Sequence, residues 1–190
     1  MTIPELVLKC RSFRRFYEDV PIDRETLREL INLARLAASA RNTQPLKYML
    51  SWEPERNAII FAHVGWASAL KTWPGPPEGE RPTAYVLILL DKTISSDAGV
   101  DPGIAGQNIL LGAVEKGLGG CMLGSVKRPE VAKALGIPDR YDVLLAIALG
   151  KPKETVVIDP MPASGDFAYW RDSDQVHHVP KRSLDELIIG

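Results

Sequence analysis

The first residues whose types and spacing suit a chemical task are Arg11-Ser12-Phe13-Arg14. Guanidinium forks flanking a hydroxyl bind phosphate, or another planar oxygen-rich anion, through paired hydrogen bonds. The whole run Lys9–Phe16 equally suits a solvated basic face paired with Glu18 and Asp19. Ser39, Asn42 and Gln44 form a second polar group. Their amides and hydroxyl either offer donors and acceptors to a ligand or satisfy free carbonyls and turn amides after a helix. A third group is Leu123-Gly124-Ser125, closing a glycine-flanked stretch that begins at Gly119. Its glycines either let a helix approach a strand or leave backbone N–H groups open to a flat ring. Lys181-Arg182 adds two positive charges near the end, alike to ordinary surface charges. Trp66 and Trp73 lie in a proline- and glycine-rich segment, residues 65–82. That segment is either a lid whose aromatics stack on a planar molecule or a cover over the core.

Other chemistries find no support. His177 and His178 are adjacent, so their side chains point apart, and no further ligand recurs at metal-binding spacing. Cys10 and Cys121 form neither a metal-ligand pair nor a disulfide framework, and Cys121 sits in an apolar stretch that suits the core. The chain contains no Gly-x-Ser-x-Gly elbow, phosphate-binding Walker loop or Gly-x-Gly-x-x-Gly dinucleotide fingerprint.

These groups need a scaffold. At 190 residues the chain is expected to form one domain with a sizeable core. Hydrophobic residues make up 45% and charged residues 25%, which is ordinary for a globular protein. The formal net charge of -1 supplies no global field for nucleic acid or an anionic membrane. No apolar run has membrane-spanning length and no leader segment is evident, so a cytoplasmic protein is expected.

The elements follow from periodicity. Thr2 and Glu5, at capping-box spacing around Pro4, open a short helix ahead of the basic run. Asp23 begins an amphipathic helix with Leu27, Leu30, Ile31, Ala34, Ala37 and Ala38 on one stripe. Residues 48–52 and 57–64 read as two strands joined by the turn Glu53–Arg56. The continuous apolar run Tyr85–Leu90 predicts a strand buried on both faces. Asp101-Pro102 is expected to cap a helix that is apolar nearly all round, hence central or shared between subunits. Arg128-Pro129 starts a helix ending at Gly136, and residues 141–149 form a second buried strand. Loop follows as far as Ser183, where a short helix or arm closes the chain.

In order and spacing these pieces resemble the FMN-dependent nitroreductase family. The resemblance rests on Arg11-Ser12-x-Arg14-x-Phe16, Ser39-x-x-Asn42-x-Gln44-Pro45, Gly103–Ala113 leading to Gly117–Gly124, and Val179-Pro180-Lys181-Arg182. It implies an α+β fold, with a mostly antiparallel central sheet flanked by helices, assembled as a homodimer with FMN at the interface. It implies a cofactor-binding set of Arg11, Ser12, Arg14, Ser39, Asn42, Gln44, Leu123, Gly124, Ser125, Lys181 and Arg182. Within that set Arg11, Lys181 and Arg182 face the phosphate, and Arg14 faces the pyrimidine edge of the flavin. Backbone near Gly124 and Ser125 faces the reactive edge, and residues 39–44 meet the flavin across the subunit boundary. Trp66 and Trp73 would contact substrate, and residues 176–190 would form a C-terminal arm. Cys10 stands where many relatives have an arginine, which removes one phosphate contact.

The activity so implied takes electrons from NADH or NADPH through the flavin to a small electron-poor acceptor: a nitroaromatic, quinone or enone. No catalytic side chain is required, because the flavin carries the chemistry. Reductive dehalogenases and flavin-consuming oxidases resemble the same family. A non-catalytic FMN-binding regulator is the alternative from another class.

Overall fold

The computed structural model describes residues 1–190. In chain order it comprises α1 (Ile3–Lys9), β1 (Phe16–Tyr17), α2 (Arg24–Arg35), a 3₁₀ turn (Ala40–Asn42), β2 (Leu46–Ser51), α3 (Pro54–Phe61), β3 (Ala84–Asp91) and α4 (Asp101–Glu115). There follow β4 (Gly119–Leu123), α5 (Arg128–Leu135), β5 (Tyr141–Pro152), β6 (Val156–Pro160), β7 (Trp170–Arg171), β8 (His177–Lys181) and α6 (Leu184–Leu187). The main sheet runs β1-β5-β3-β2, with β4 also paired to β5, and every pairing in it is antiparallel.

Strand β3 is the axis. All eight of its residues are buried, and its side chains alternate between two cores. Ala84, Val86 and Ile88 join the α2 and α4 side, with Leu27, Leu30, Ile109 and Ala113. Tyr85, Leu87 and Leu89 join the α3 and α5 side, with Ile60, Val131 and Leu123. A strand covered on both faces is apolar along most of its length, as Tyr85–Leu90 is here, which is why the sequence places it correctly. Helix α4 packs tightly on α2: a Cβ on Gly112 would come within 2.3 Å of Leu33 Cδ1. Asp23 caps α2 as expected, its carboxylate accepting the Thr26 N–H at 2.7 Å.

Three expectations are corrected. Residues 54–61 form helix α3, not a strand. Pro54 in the first turn, with Glu55 beside it, starts a helix. Asn57 then anchors it, accepting from Ser51 Oγ at 2.8 Å and donating to the Thr83 carbonyl at 2.8 Å. Asp101 does not cap α4: Val100 occupies that position and Asp101 is the first helical residue. The stretch expected as loop before Ser183 folds into a second sheet, β6-β8-β7. In it β6 and β8 run parallel and β7 and β8 antiparallel. No helix is long and apolar enough to cross a membrane.

Candidate functional site

The segment carrying the arginines is held against the start of β4. Ser12 bridges Gly120, and the Phe13 N–H donates to the Gly120 carbonyl at 2.9 Å. The approach is close because β4 opens with glycines; a Cβ on Gly119 would meet Phe13 Cδ2 at 2.5 Å. This pairing sends the Arg14 side chain inward. Arg14 is only 9% exposed. Its Nη1 donates to the Ser12 carbonyl at 3.2 Å and lies 3.3 Å from His177 Nε2. Its guanidinium also covers the Tyr169 ring, 4.9 Å from the centroid.

A cavity of about 230 Å³ opens here, walled by Arg14, Trp66, Leu123, Gly124, Ser125 and Tyr169. The structure thus brings together five of the residues singled out in the sequence and adds Tyr169. Two donors belonging to its walls, Arg14 Nε and Trp66 Nε1, are buried without a partner. A Cβ on Gly124 would meet nothing within 4 Å, so packing does not demand glycine there. Unpaired buried donors are costly, and a flat ligand rich in acceptors relieves the cost. The pyrimidine side of an isoalloxazine ring fits that description.

Around the cavity stands a charged frame that the sequence did not disclose. The Glu154 side chain is fully buried, accepts the Arg14 backbone N–H, and pairs with Arg171 at 2.9 Å. Arg171 in turn covers Trp73, its guanidinium 4.2 Å from the ring centroid, so Trp73 supports the frame rather than the cavity wall. Burial, then the neighbouring Arg14 and Arg171, push the His177 pKa down to about 4. His177 is therefore neutral at pH 7. Because a guanidinium only donates, Nε2 accepts and the ring proton sits on Nδ1, itself buried and unpartnered. His178 points the other way, between Asp159 at 2.8 Å and Asp172 at 3.2 Å, with its ring stacked on Trp170 at 3.9 Å. The Ala69 N–H reaches the Tyr169 hydroxyl at 3.3 Å, joining the 65–82 segment to the second sheet over the cavity. The far end of that segment is pinned by Glu80, which pairs with Arg15 and, at 3.1 Å, with Lys153.

The remaining residues lie elsewhere in the chain. Arg11 donates to the Val7 carbonyl at 2.6 Å, closing α1, and lines a separate cleft beside Phe13 and Val156. Ser12 is exposed at its bridge. Lys181, the last residue of β8, and Arg182 after it are exposed at the end of the strand opposite His177, and Arg182 pairs with Glu186 at 3.0 Å. Ser39, Asn42 and Gln44 sit on a loop between α2 and β2 in which Arg41, Asn42 and Gln44 all have positive φ, 52°, 56° and 49°. Such backbone is strained for residues other than glycine. Asp101 holds it: its carboxylate accepts from Ser39 Oγ at 2.6 Å and from the Ala40 N–H at 3.2 Å. Ser39 Oγ also accepts the Gln44 N–H at 2.9 Å. The only donor on the Ser39 side chain is therefore committed to the loop itself.

The Nitroreductase family model matches residues 7–73 and 80–151. The chain belongs to the Nitroreductase family. Among curated relatives it is similar to the NADPH-flavin oxidoreductase of Vibrio harveyi, 27% identical over 177 positions, covering 84% of this chain and 70% of that protein. Among solved structures it superposes on the NADPH:FMN oxidoreductase from Vibrio harveyi complexed with NAD+. The TM-score there is 0.64 and the identity 26%, over 85% of this chain and 74% of that one. A nitroreductase family protein from Streptococcus pneumoniae TIGR4 shares the fold over the full length of both chains, with a TM-score of 0.70 at 18% identity. The family match stops at residue 151, so the whole of this nitroreductase-family chain's second sheet lies outside it.

Proposed function

We propose that the protein is an FMN-dependent oxidoreductase that takes electrons from NADH or NADPH and passes them to a small electron-poor acceptor, a nitroaromatic, quinone or enone. The observation that carries this reading is the cavity joining Arg14, Trp66 and Leu123–Ser125, with two buried donors awaiting acceptors, in a chain of the Nitroreductase family. A bound FMN supplies the hydride and electron chemistry.

The chain's own residues bind and orient. Arg14 would hold a fixed positive charge toward the pyrimidine edge of a bound flavin and so favour its reduced, anionic form. Neutral His177 and the Ser12 carbonyl keep its fork in plane. Gly124 and Ser125 offer open backbone on one side, while Trp66 and Tyr169 exclude water on the other. Arg11, Lys181 and Arg182 are assigned to the phosphate, and residues 65–82 to the substrate lid.

Ser39, Asn42 and Gln44 are assigned to the flavin of a second subunit, which makes the active protein a homodimer. Unpaired apolar surface supports this: Leu184, Leu187, Ile188 and Ile189 of the C-terminal arm are all exposed. The test is purification, analysis of the released flavin, and steady-state NADH and NADPH oxidation with a nitroaromatic and a quinone. Turnover with FMN bound is expected. Retention of FMN without reduction by either nucleotide would instead describe a binding protein.

A further inference from the structure

A second cavity, of about 300 Å³, opens beside α3 and shares no wall residue with the Arg14 cavity. Its walls include Glu18, Trp52, Phe61, Arg81, Thr83 and Tyr85. Three polar atoms of these residues are buried without a partner: Arg81 Nε, Thr83 Oγ1 and the Tyr85 hydroxyl. Tyr85 is 0% exposed and Thr83 9% exposed. In a strand core, phenylalanine at position 85 would bury the same ring without an orphaned hydroxyl. Burial also pushes the Tyr85 phenol pKa up, so the group stays protonated and able to donate.

The other polar groups are already engaged. The Asn57 amide bonds Ser51 and Thr83. Glu18 accepts the Arg81 backbone N–H at 3.1 Å, and the Arg81 guanidinium lies over Phe61, 4.7 Å from the ring centroid. What remains open is donor capacity, one guanidinium N–H and two hydroxyls, in a cavity that Trp52 and Phe61 also line. The Glu18 carboxylate disfavours a dianion. We propose that this cavity binds a small aromatic monocarboxylate. Its carboxylate oxygens accept from Arg81, Thr83 and Tyr85, and its ring lies against Trp52 and Phe61. The cavity volume suits a ligand at the small end of the usual range.

The probe is para-fluorobenzoate, titrated by fluorine NMR against the full-length protein carrying its flavin. Saturable binding is expected. Tyr85→Phe should weaken it about 10-fold or more, the worth of one hydrogen bond to a charged acceptor, and Arg81→Gln by at least as much. Tyr169→Ala, in the other cavity, should leave it unchanged. Without the probe, Tyr85→Phe should melt at or above the wild-type temperature, because it removes an unpaired hydroxyl. If Arg81→Gln does not fold, Tyr85→Phe alone decides. The proposal is overturned by absence of saturable binding, by binding indifferent to Tyr85→Phe, by loss of binding in Tyr169→Ala, or by a lower melting temperature for unliganded Tyr85→Phe.

Discussion

The two sides of the Arg14 cavity are built differently. One side, Leu123 to Ser125 at the end of β4, is open backbone on the central sheet and lies within the family match. The other is set by the second sheet, where Tyr169, Arg171 and His177 are held by a buried carboxylate, ring contacts and histidine pairs rather than by a core. Open backbone presented by a rigid sheet suits a ligand that every family member shares. A small sheet locked by side chains suits a part that varies with substrate. On the proposed function, the flavin would lie against the first wall, and substrate choice would fall to the second wall together with residues 65–82.

The largest effect that would break this contrast lies at Glu154. Glu154→Gln removes the charge that neutralises Arg171 in a buried pair, which costs about 3–5 kcal/mol when one partner is lost. Chemical denaturation should show that loss, and a change below about 1 kcal/mol would mean the second sheet does not depend on the pair.

Next comes Arg11. If it holds the phosphate, Arg11→Ala removes a charged hydrogen bond of about 1.5–3 kcal/mol. That is about one to two decades in FMN affinity. Riboflavin, which lacks the phosphate, should bind the two proteins alike. Equal weakening of both ligands would leave Arg11 as the residue that closes α1.

Arg14 gives a smaller and more specific effect. A unit charge at ~4 Å is worth about 4 kcal/mol at an effective dielectric near 20, and solvation should leave about 1–2 kcal/mol. For a two-electron couple, Arg14→Gln should therefore lower the flavin midpoint potential by about 20–45 mV in a redox titration. An unchanged or raised potential would place the ring edge away from Arg14.

Trp73 probes the second wall through its contact with Arg171. Trp73→Ala should raise KM for a nitroaromatic several-fold, the worth of about 1 kcal/mol of cation–π contact, with FMN affinity unchanged. Altered FMN affinity would mean that the two walls are not separable.

The smallest effect is on pH dependence. The bond to Asp172, then that to Asp159, raises the His178 pKa above 6.5. The same His178 bond lowers the Asp172 pKa below 3.8. Protonated His178 then stabilises the second sheet fully below pH 6.5, and the contribution is lost as pH rises through the raised value. The Asp172 contribution has the opposite sign: it is present above pH 3.8 and lost as pH falls through its lowered value. Protection against amide exchange in β7 and β8, relative to the intrinsic rate, should therefore be greatest between those limits and fall above the raised His178 pKa more than protection in β3. Parallel alkaline profiles for β3 and β8 would show that the pair has no structural weight.

What could be read from the sequence divides along the same line. β3, α2, α4 and the glycine-flanked β4 follow from uninterrupted apolar runs or a clean helical stripe, and Arg14 and Leu123–Ser125 lie on or next to them. Residues 57–64 misled because Ile59, Ile60 and Phe61 are consecutive and carry no period, while the decisive signal was Pro54 at a helix start. The second sheet escaped because its strands are short, contain Pro160 and Pro180, and cohere through Glu154, His178 and Trp170 rather than through apolar alternation. Tyr169, His177 and Glu154 reach Arg14 only through long-range folding, and no local motif announces them. Asp101 looked like a helix cap because it precedes Pro102; in the fold it restrains the strained loop at Ser39 instead.

The most direct test of the flavin assignment is a titration of FMN into wild-type protein and Gly124→Val. A Cβ at Gly124 meets no protein atom within 4 Å, and its φ is not in the left-handed region, so the unliganded variant should fold with wild-type stability. A ring lying against that backbone would meet the new side chain, and FMN affinity should fall by about two decades or more, the equivalent of about 2.7 kcal/mol. A stable Gly124→Val protein that binds FMN as tightly as wild type would contradict the placement of the flavin against β4.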